Sequence, residues 1–182
     1  MVKRKKKGKR NRGNRNQGRV KIELFADSHG RDLSKFITGV EVTVKGGAVM
    51  ERVVEGAGRE EGGTVIMGGT NDGSVEGLKR GLFKLKEVLG EKRRVVIVGV
   101  PHRYDKKHRY TNQPLTRAEL GAREQLIKNK NELLKSFCNF YNYEFLSIDD
   151  SKRNFFTNHG LHFNMVGKRW LADKIQTAVS FL

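Results

Sequence analysis

Residues Ile22–Leu33 read IELFADSHGRDL. An apolar run of strand length stops at Asp27-Ser28-His29-Gly30, and a helix-like pattern resumes directly behind it. That transition marks a strand leaving a sheet through a tight polar turn. Ser28 then has two readings. As a residue at a helix start, its hydroxyl accepts a bond from a free backbone N–H, worth about 1 kcal/mol. As a nucleophile, it needs a base for its proton and donors aimed at the developing oxyanion.

The same alternation continues along the chain. Strand-like runs are expected at Val20–Ala26, Val40–Val44, Thr64–Met67, Val95–Val100 and Tyr143–Ile148. Four of them are rich in β-branched residues, and the last alternates apolar with polar side chains. Between them, Val75–Leu89 spaces Leu78, Leu82, Leu85 and Leu89 by three and four, which predicts a helix. Thr116–Phe137 opens with the capping-box pair Thr116 and Glu119 and sets Leu120, Ile127 and Leu134 on one stripe. Val166–Phe181 offers Asn164 as a cap and Trp170, Leu171, Ile175 and Ala178 for burial. Two shorter helices are expected over residues 28–38 and 48–55. Strands alternating with helices predict an α/β domain with a parallel sheet covered on both faces.

In such a sheet, ligands bind outside the carboxyl ends of the strands. Those ends carry Asp27-Ser28, Gly46-Gly47, Gly69-Thr70-Asn71-Asp72, Pro101-His102 and Asp149-Asp150, and a loop Asn158–His162 precedes the last helix. Gly47 has no side chain to shield its N–H, Asn71 carries an amide donor, and His162 has the intrinsic pKa of a general base near neutrality. Each also has a plainer reading. Gly46-Gly47 is a turn sequence, Asn71 is a candidate cap for the helix beginning near Val75, and His162 suits a loop–helix junction. The ordered set at one sheet edge favours chemistry.

These residues resemble the SGNH (GDSL-type) hydrolases. ADSHG (26–30) is similar to the first family block, with Ala26 where glycine is usual; KGGA (45–48) resembles the second, GGTND (68–72) the third and HGLHFN (159–164) the last. The resemblance spans about residues 20–182. It implies a flavodoxin-like three-layer α/β/α domain with a five-stranded parallel sheet that cleaves esters, often acetyl or lipid esters. Carried over by position, Ser28 is the nucleophile, His162 the base, and Gly47, Asn71 and the Ser28 N–H the oxyanion hole. The family's triad acid lies three residues before the histidine, and that position here is His159. Loss of the acid's charge in a serine protease lowers kcat by about 10⁴-fold. Three alternatives follow: a slow reaction, a backbone carbonyl orienting His162, or a substitute acid such as Asp149 or Asp150. Two histidines three apart without a third ligand do not make a metal site, so no metal and no cofactor are expected.

A second feature is basic. The loop after the fourth strand, PHRYDKKHRY, holds Arg103, Tyr104, Lys106, Lys107, His108, Arg109 and Tyr110. Charge for phosphate and rings for base stacking suit an anion or nucleotide site, whereas a solvated charged loop is the bland reading. The chain is similar in this respect to the animal SGNH-like domains of LINE-type retrotransposon open reading frames. More distantly it resembles the Oskar C-terminal domain, an RNA-binding relative.

Charge separates the opening residues from the remainder. The 182 residues carry a net +17. Residues 1–20 contribute Lys3, Arg4, Lys5, Lys6, Lys7, Lys9, Arg10, Arg12, Arg15 and Arg19 and no acid. Residues 1–19 are expected to be a disordered tail, since they lack apolar periodicity, and residues 20–182 the folded domain. A solubilising arm or an import signal is the plain reading of the tail. Nucleic-acid contact is the sharper one, because clustered cations release counterions from RNA or DNA. No apolar run approaches a membrane span, and no signal-peptide pattern opens the sequence. The single cysteine, Cys138, reads as a buried apolar residue and fits a reducing, cytoplasmic or nuclear setting. A binding role on a former hydrolase scaffold stands beside the esterase reading.

Overall fold

A computed structural model describes residues 21–58, 62–90, 94–107 and 111–180. The basic tail 1–19 and His108, Arg109 and Tyr110 lie outside the described residues. Five strands form one sheet: β1 (Lys21–Ala26), β2 (Val40–Val44), β3 (Gly62–Met67), β4 (Val95–Val98) and β5 (Glu144–Leu146). Their order across the sheet is β2-β1-β3-β4-β5, and every pairing is parallel. Among the described residues the α-helices are α1 (Met50–Val53), α2 (Val75–Leu89), α3 (Arg117–Tyr141) and α4 (Met165–Val179). This is a flavodoxin-like three-layer α/β/α fold.

Strand side chains alternate between two faces, and each face has its own core. Phe25, Ile66 and Ile97 pack with Met50, Leu78, Leu82, Leu85 and Leu134 beneath α1, α2 and α3. Leu24, Val65, Met67, Val96 and Val98 face the other way, against Leu33 and the α4 residues Leu171, Ala172 and Ile175. Trp170, expected to be buried, is only half-buried and lies against Phe155 and Phe163. Cys138 is fully buried at the end of α3. Burial, with the nearby Glu144 charge, pushes its thiol up to about 12, so it behaves as an inert core residue.

The helix ends follow local chemistry. The Thr116–Glu119 capping box opens α3, and the Asn164 side chain accepts the Gly167 N–H at the start of α4. Ser74, not Asn71, caps α2 by accepting from the Gly77 N–H. The helix expected over residues 28–38 is instead two short 3₁₀ turns, Ser28–Gly30 and Leu33–Lys35. Asp32 between them adopts a left-handed φ of 63°, which interrupts any continuous helix. The helix expected over 48–55 is confined to Met50–Val53.

The parallel register aligns the carboxyl ends. Ala26 pairs with Val44 on one side and Met67 on the other. Strand order reverses direction at β1 and β3, so the crevice outside their ends is the topological switch point. Asp27-Ser28 leave β1 there, and Gly68–Asp72 leave β3 beside them.

Candidate active site

The turn after β1 decides where Ser28 points. Asp27 is the cap: its carboxylate accepts the His29 backbone N–H at 2.9 Å. The cap role open to Ser28 is therefore taken by its neighbour, and the Ser28 hydroxyl is left for another partner. Gly30 follows because a Cβ there would sit 2.3 Å from the Ala26 Cβ. Only glycine lets the chain turn so closely under the strand end.

The partner of the Ser28 hydroxyl is His162. Its Nε2 lies 3.2 Å from Ser28 Oγ, bridging 134 positions of sequence. Both side chains are half-buried and line one cavity of about 270 Å³ with Gly46, Gly47, Thr70 and Asn71. Gly47 adopts φ +73°, a conformation that a side chain would strain, and an added Cβ there would meet nothing within 4 Å. The Asn71 amide donates to Ala48 O at 3.1 Å. An amide has two donor hydrogens, so that bond fixes the group and leaves one N–H for another acceptor.

His29, absent from the sequence-based set, completes the arrangement. It is buried, with Nδ1 3.1 Å from Asp27 Oδ1 and Nε2 2.9 Å from Leu161 O. A carbonyl oxygen only accepts, so His29 Nε2 carries the hydrogen of that bond. The imidazole thereby ties the β1 turn to the peptide immediately before His162. Its ring centroid lies 5.3 Å from that of His162 and 5.8 Å, edge-on, from that of Phe163.

Three further buried polar residues brace the strand ends. Lys130 on α3 donates to Gly69 O at 2.8 Å and Asp72 O at 2.5 Å, binding the β3 loop from below. Its burial lowers its pKa against the raising effect of nearby Asp72. The Asp72 carboxylate accepts the Met50 N–H at 2.9 Å at the start of α1. Burial raises its pKa, outweighing that bond and the Lys130 charge. Asn131 makes paired bonds to Val100, accepting its N–H at 2.7 Å and donating to its C=O at 3.1 Å. Lys130 and Asn131 interrupt the apolar stripe between Ile127 and Leu134, and that interruption is the signal in the sequence for both.

The candidate acids have other surroundings. Asp149 accepts from Asn131 Nδ2 at 3.2 Å and from Ser147 Oγ at 3.1 Å, and lies 4.0 Å from His102. Asp150 pairs with Lys174 at 2.9 Å. His159 is exposed and lines a neighbouring cavity rather than that of Ser28. Asp27 approaches the His162 loop through His29. Arg103 directs its guanidinium at Asp105, at 3.0 and 2.8 Å, and Tyr104 donates its hydroxyl to Ser151 O at 3.0 Å. Among the described residues, no group of three or more His, Cys, Asp or Glu is placed to hold a metal ion. No described helix is long and apolar enough to cross a membrane.

No family profile matches this sequence, and no curated protein matches it. Solved structures do match. A GDSL-like lipase from Bacteroides thetaiotaomicron superposes with a TM-score of 0.68 at 13% identity, over 88% of this chain and 87% of that one. The catalytic domain of the peptidoglycan O-acetyltransferase of Streptococcus pneumoniae gives 0.67 at 14%, over 89% and 93%. A carbohydrate acetylesterase from Sinorhizobium meliloti gives 0.66 at 15%, over 90% and 99%. At these identities the likeness is one of fold, and the fold is that of the SGNH hydrolases.

Proposed function

We propose that the protein is a serine esterase of the SGNH type acting on short acyl esters such as acetyl esters. The observation that carries this is the 3.2 Å approach of Ser28 Oγ to His162 Nε2 in a cavity walled by Gly47 and Asn71. His162 Nε2 takes the hydroxyl proton as Ser28 Oγ attacks the carbonyl carbon, and the carbonyl π pair moves onto oxygen. The spare Asn71 N–H and the backbone N–H groups of Gly47 and Ser28 stabilise that oxyanion. Donors of this kind are worth about 10²–10³-fold each in kcat. Collapse expels the alcohol, which leaves with the proton from His162. Water then attacks the acyl-serine with His162 again as base, releasing the acid and restoring Ser28.

In this account His29 is a positioning residue. With no acid three residues before His162, the Asp27–His29–Leu161 chain holds the base in place from the nucleophile's own turn. A cavity of about 270 Å³ suits a short acyl group. The lipase, O-acetyltransferase and acetylesterase of the same fold support ester chemistry as the reading. The test is turnover of 4-nitrophenyl acetate by the full chain. Saturable release of nitrophenol above the buffer rate, with an initial burst where deacylation is slow, is expected. A rate indistinguishable from buffer overturns the proposal.

A second reading concerns the basic tail. We propose that residues 1–19 bind RNA or DNA, in keeping with the resemblance to LINE-type domains. Ten cations without one acid support it. Each phosphate contact contributes about 0.7 to the slope of log affinity against log salt for single strands. Deleting residues 1–19 is therefore expected to flatten that slope by several units for a single-stranded RNA. An unchanged slope would remove the tail from binding.

A further inference from the structure

Beside the Ser28 cavity lies a larger one of about 640 Å³, within the range of small-molecule sites. Leu161 is a wall of both, and the Tyr104 N–H donates to Gly160 O at 2.8 Å, so the β4 loop and the His162 loop form one rim. The charge of the larger cavity is one-sided. Among the described residues its one carboxylate, Asp105, is already engaged by Arg103 at 2.8 Å and by Arg123 at 3.0 Å. Burial alone would raise the Asp105 pKa, but those two guanidinium groups outweigh it and hold the carboxyl below its ordinary value.

Lys106, Lys107 and Arg153 remain. Among the described residues none of the three pairs with a carboxylate. The Arg153 guanidinium is fixed by Thr157 O and Asn158 O, each at 2.9 Å, and lies over the Tyr104 ring. It is a preorganised cation on the 3₁₀ turn Arg153–Phe155, bonded to the loop that carries His162. Three uncompensated cations in a concave wall focus a positive potential and concentrate anions there. Asn158 and His159 add polar groups to the same wall.

We propose that this cavity is a phosphate subsite, and that the ester cleaved at Ser28 carries a phosphate group on the part of the molecule leading into it. The substrate class is then a small phosphorylated acyl ester. The substrate assignment rests on the esterase reading; the anion site itself does not. Three clustered cations match a phosphate dianion better than a single carboxylate, and charge-assisted bonds of this kind are about twice as strong as neutral ones. A nucleic-acid strand is the rival occupant. It would need cations continuing along a groove, whereas among the described residues Lys106, Lys107 and Arg153 line one cavity.

The experiment has two arms, both on the full chain. In the first, inorganic pyrophosphate is titrated while backbone amide shifts are followed. Changes are expected at Tyr104–Lys107 and at Asn158 and His159, and the Lys106→Ala/Lys107→Ala double variant should bind about tenfold more weakly, near 1.4 kcal/mol. Residues 1–19 are intact in both proteins, so binding by the tail is common to the two. Equal affinities, shifts confined to other residues, or binding of single-stranded RNA without pyrophosphate each overturn the site. In the second arm, 4-acetoxyphenyl phosphate and phenyl acetate are compared. The preference for the phosphorylated ester, expressed as a ratio of kcat/KM values, should fall about tenfold in the double variant through KM. No preference in the wild type overturns the substrate class. If neither ester is hydrolysed the esterase reading fails, and the pyrophosphate arm still decides the anion site.

Discussion

Ser28→Ala is expected to lower kcat for acetyl-ester hydrolysis at least about 10³-fold, leaving only what bound donors contribute without a nucleophile. The same variant should fold almost as well as the wild type. Ser28 is half-buried, Asp27 rather than Ser28 caps the turn, and the hydroxyl has its hydrogen bond to His162. Losing one such bond costs about 1 kcal/mol, a shift of about 2–4 °C in Tm for a domain of this size. Had the hydroxyl been only a cap, the order would reverse: stability would fall and hydrolysis would persist. Parallel measurement of Tm and kcat therefore separates the two readings with which the first strand's turn began.

His29→Ala should impair both properties. It removes the donor to Leu161 O and the ring nitrogen 3.1 Å from the buried Asp27 carboxylate, which keeps the backbone N–H of residue 29. A buried polar group left without its partner costs about 1–3 kcal/mol, so a loss near 3 kcal/mol is expected in denaturant unfolding. With the tether gone, the His162 loop is released from the nucleophile's turn. A misplacement of about 1 Å costs on the order of 10²-fold in rate, and that loss should fall on kcat rather than KM. His29→Gln provides the control, since its terminal amide reaches the region of Nε2 and can donate to the same carbonyl. Recovery of kcat in His29→Gln relative to His29→Ala assigns the effect to positioning. Equal kcat in wild type and His29→Ala would show that the base needs no such tether.

Most of the sheet was legible because buried parallel strands are written as short apolar runs ending in glycine or polar residues. The predicted β2 run, Val40–Val44, and the predicted helix Val75–Leu89 coincide with the observed elements. Local chemistry misled at the β1 turn. Asp27 and Ser28 are adjacent and both are good caps, so the sequence could not say which oxygen would turn inward. The helix expected after them failed because the chain turns left-handed at Asp32.

What remained hidden were contacts between distant positions. His29 meets Leu161 across 132 residues, and Lys130 reaches Gly69 across 61. No periodicity encodes such pairs. The only trace is a polar residue where the pattern calls for an apolar one, as at Lys130 and Asn131 within the α3 stripe. The substitute acid sought near Asp149 and Asp150 was likewise a long-range question. The structure turns those carboxylates toward Asn131, Ser147 and Lys174, and joins Asp27 to the His162 loop instead.

The most direct measurement is covalent. A fluorophosphonate, which reacts fastest with a serine oxygen activated by a base, is incubated with the full chain, and the digested protein is read by mass spectrometry. A single adduct on the peptide containing Ser28, absent when His162 is replaced by Asn, is the predicted result. An unmodified Ser28, or labelling undiminished in His162→Asn, would contradict it.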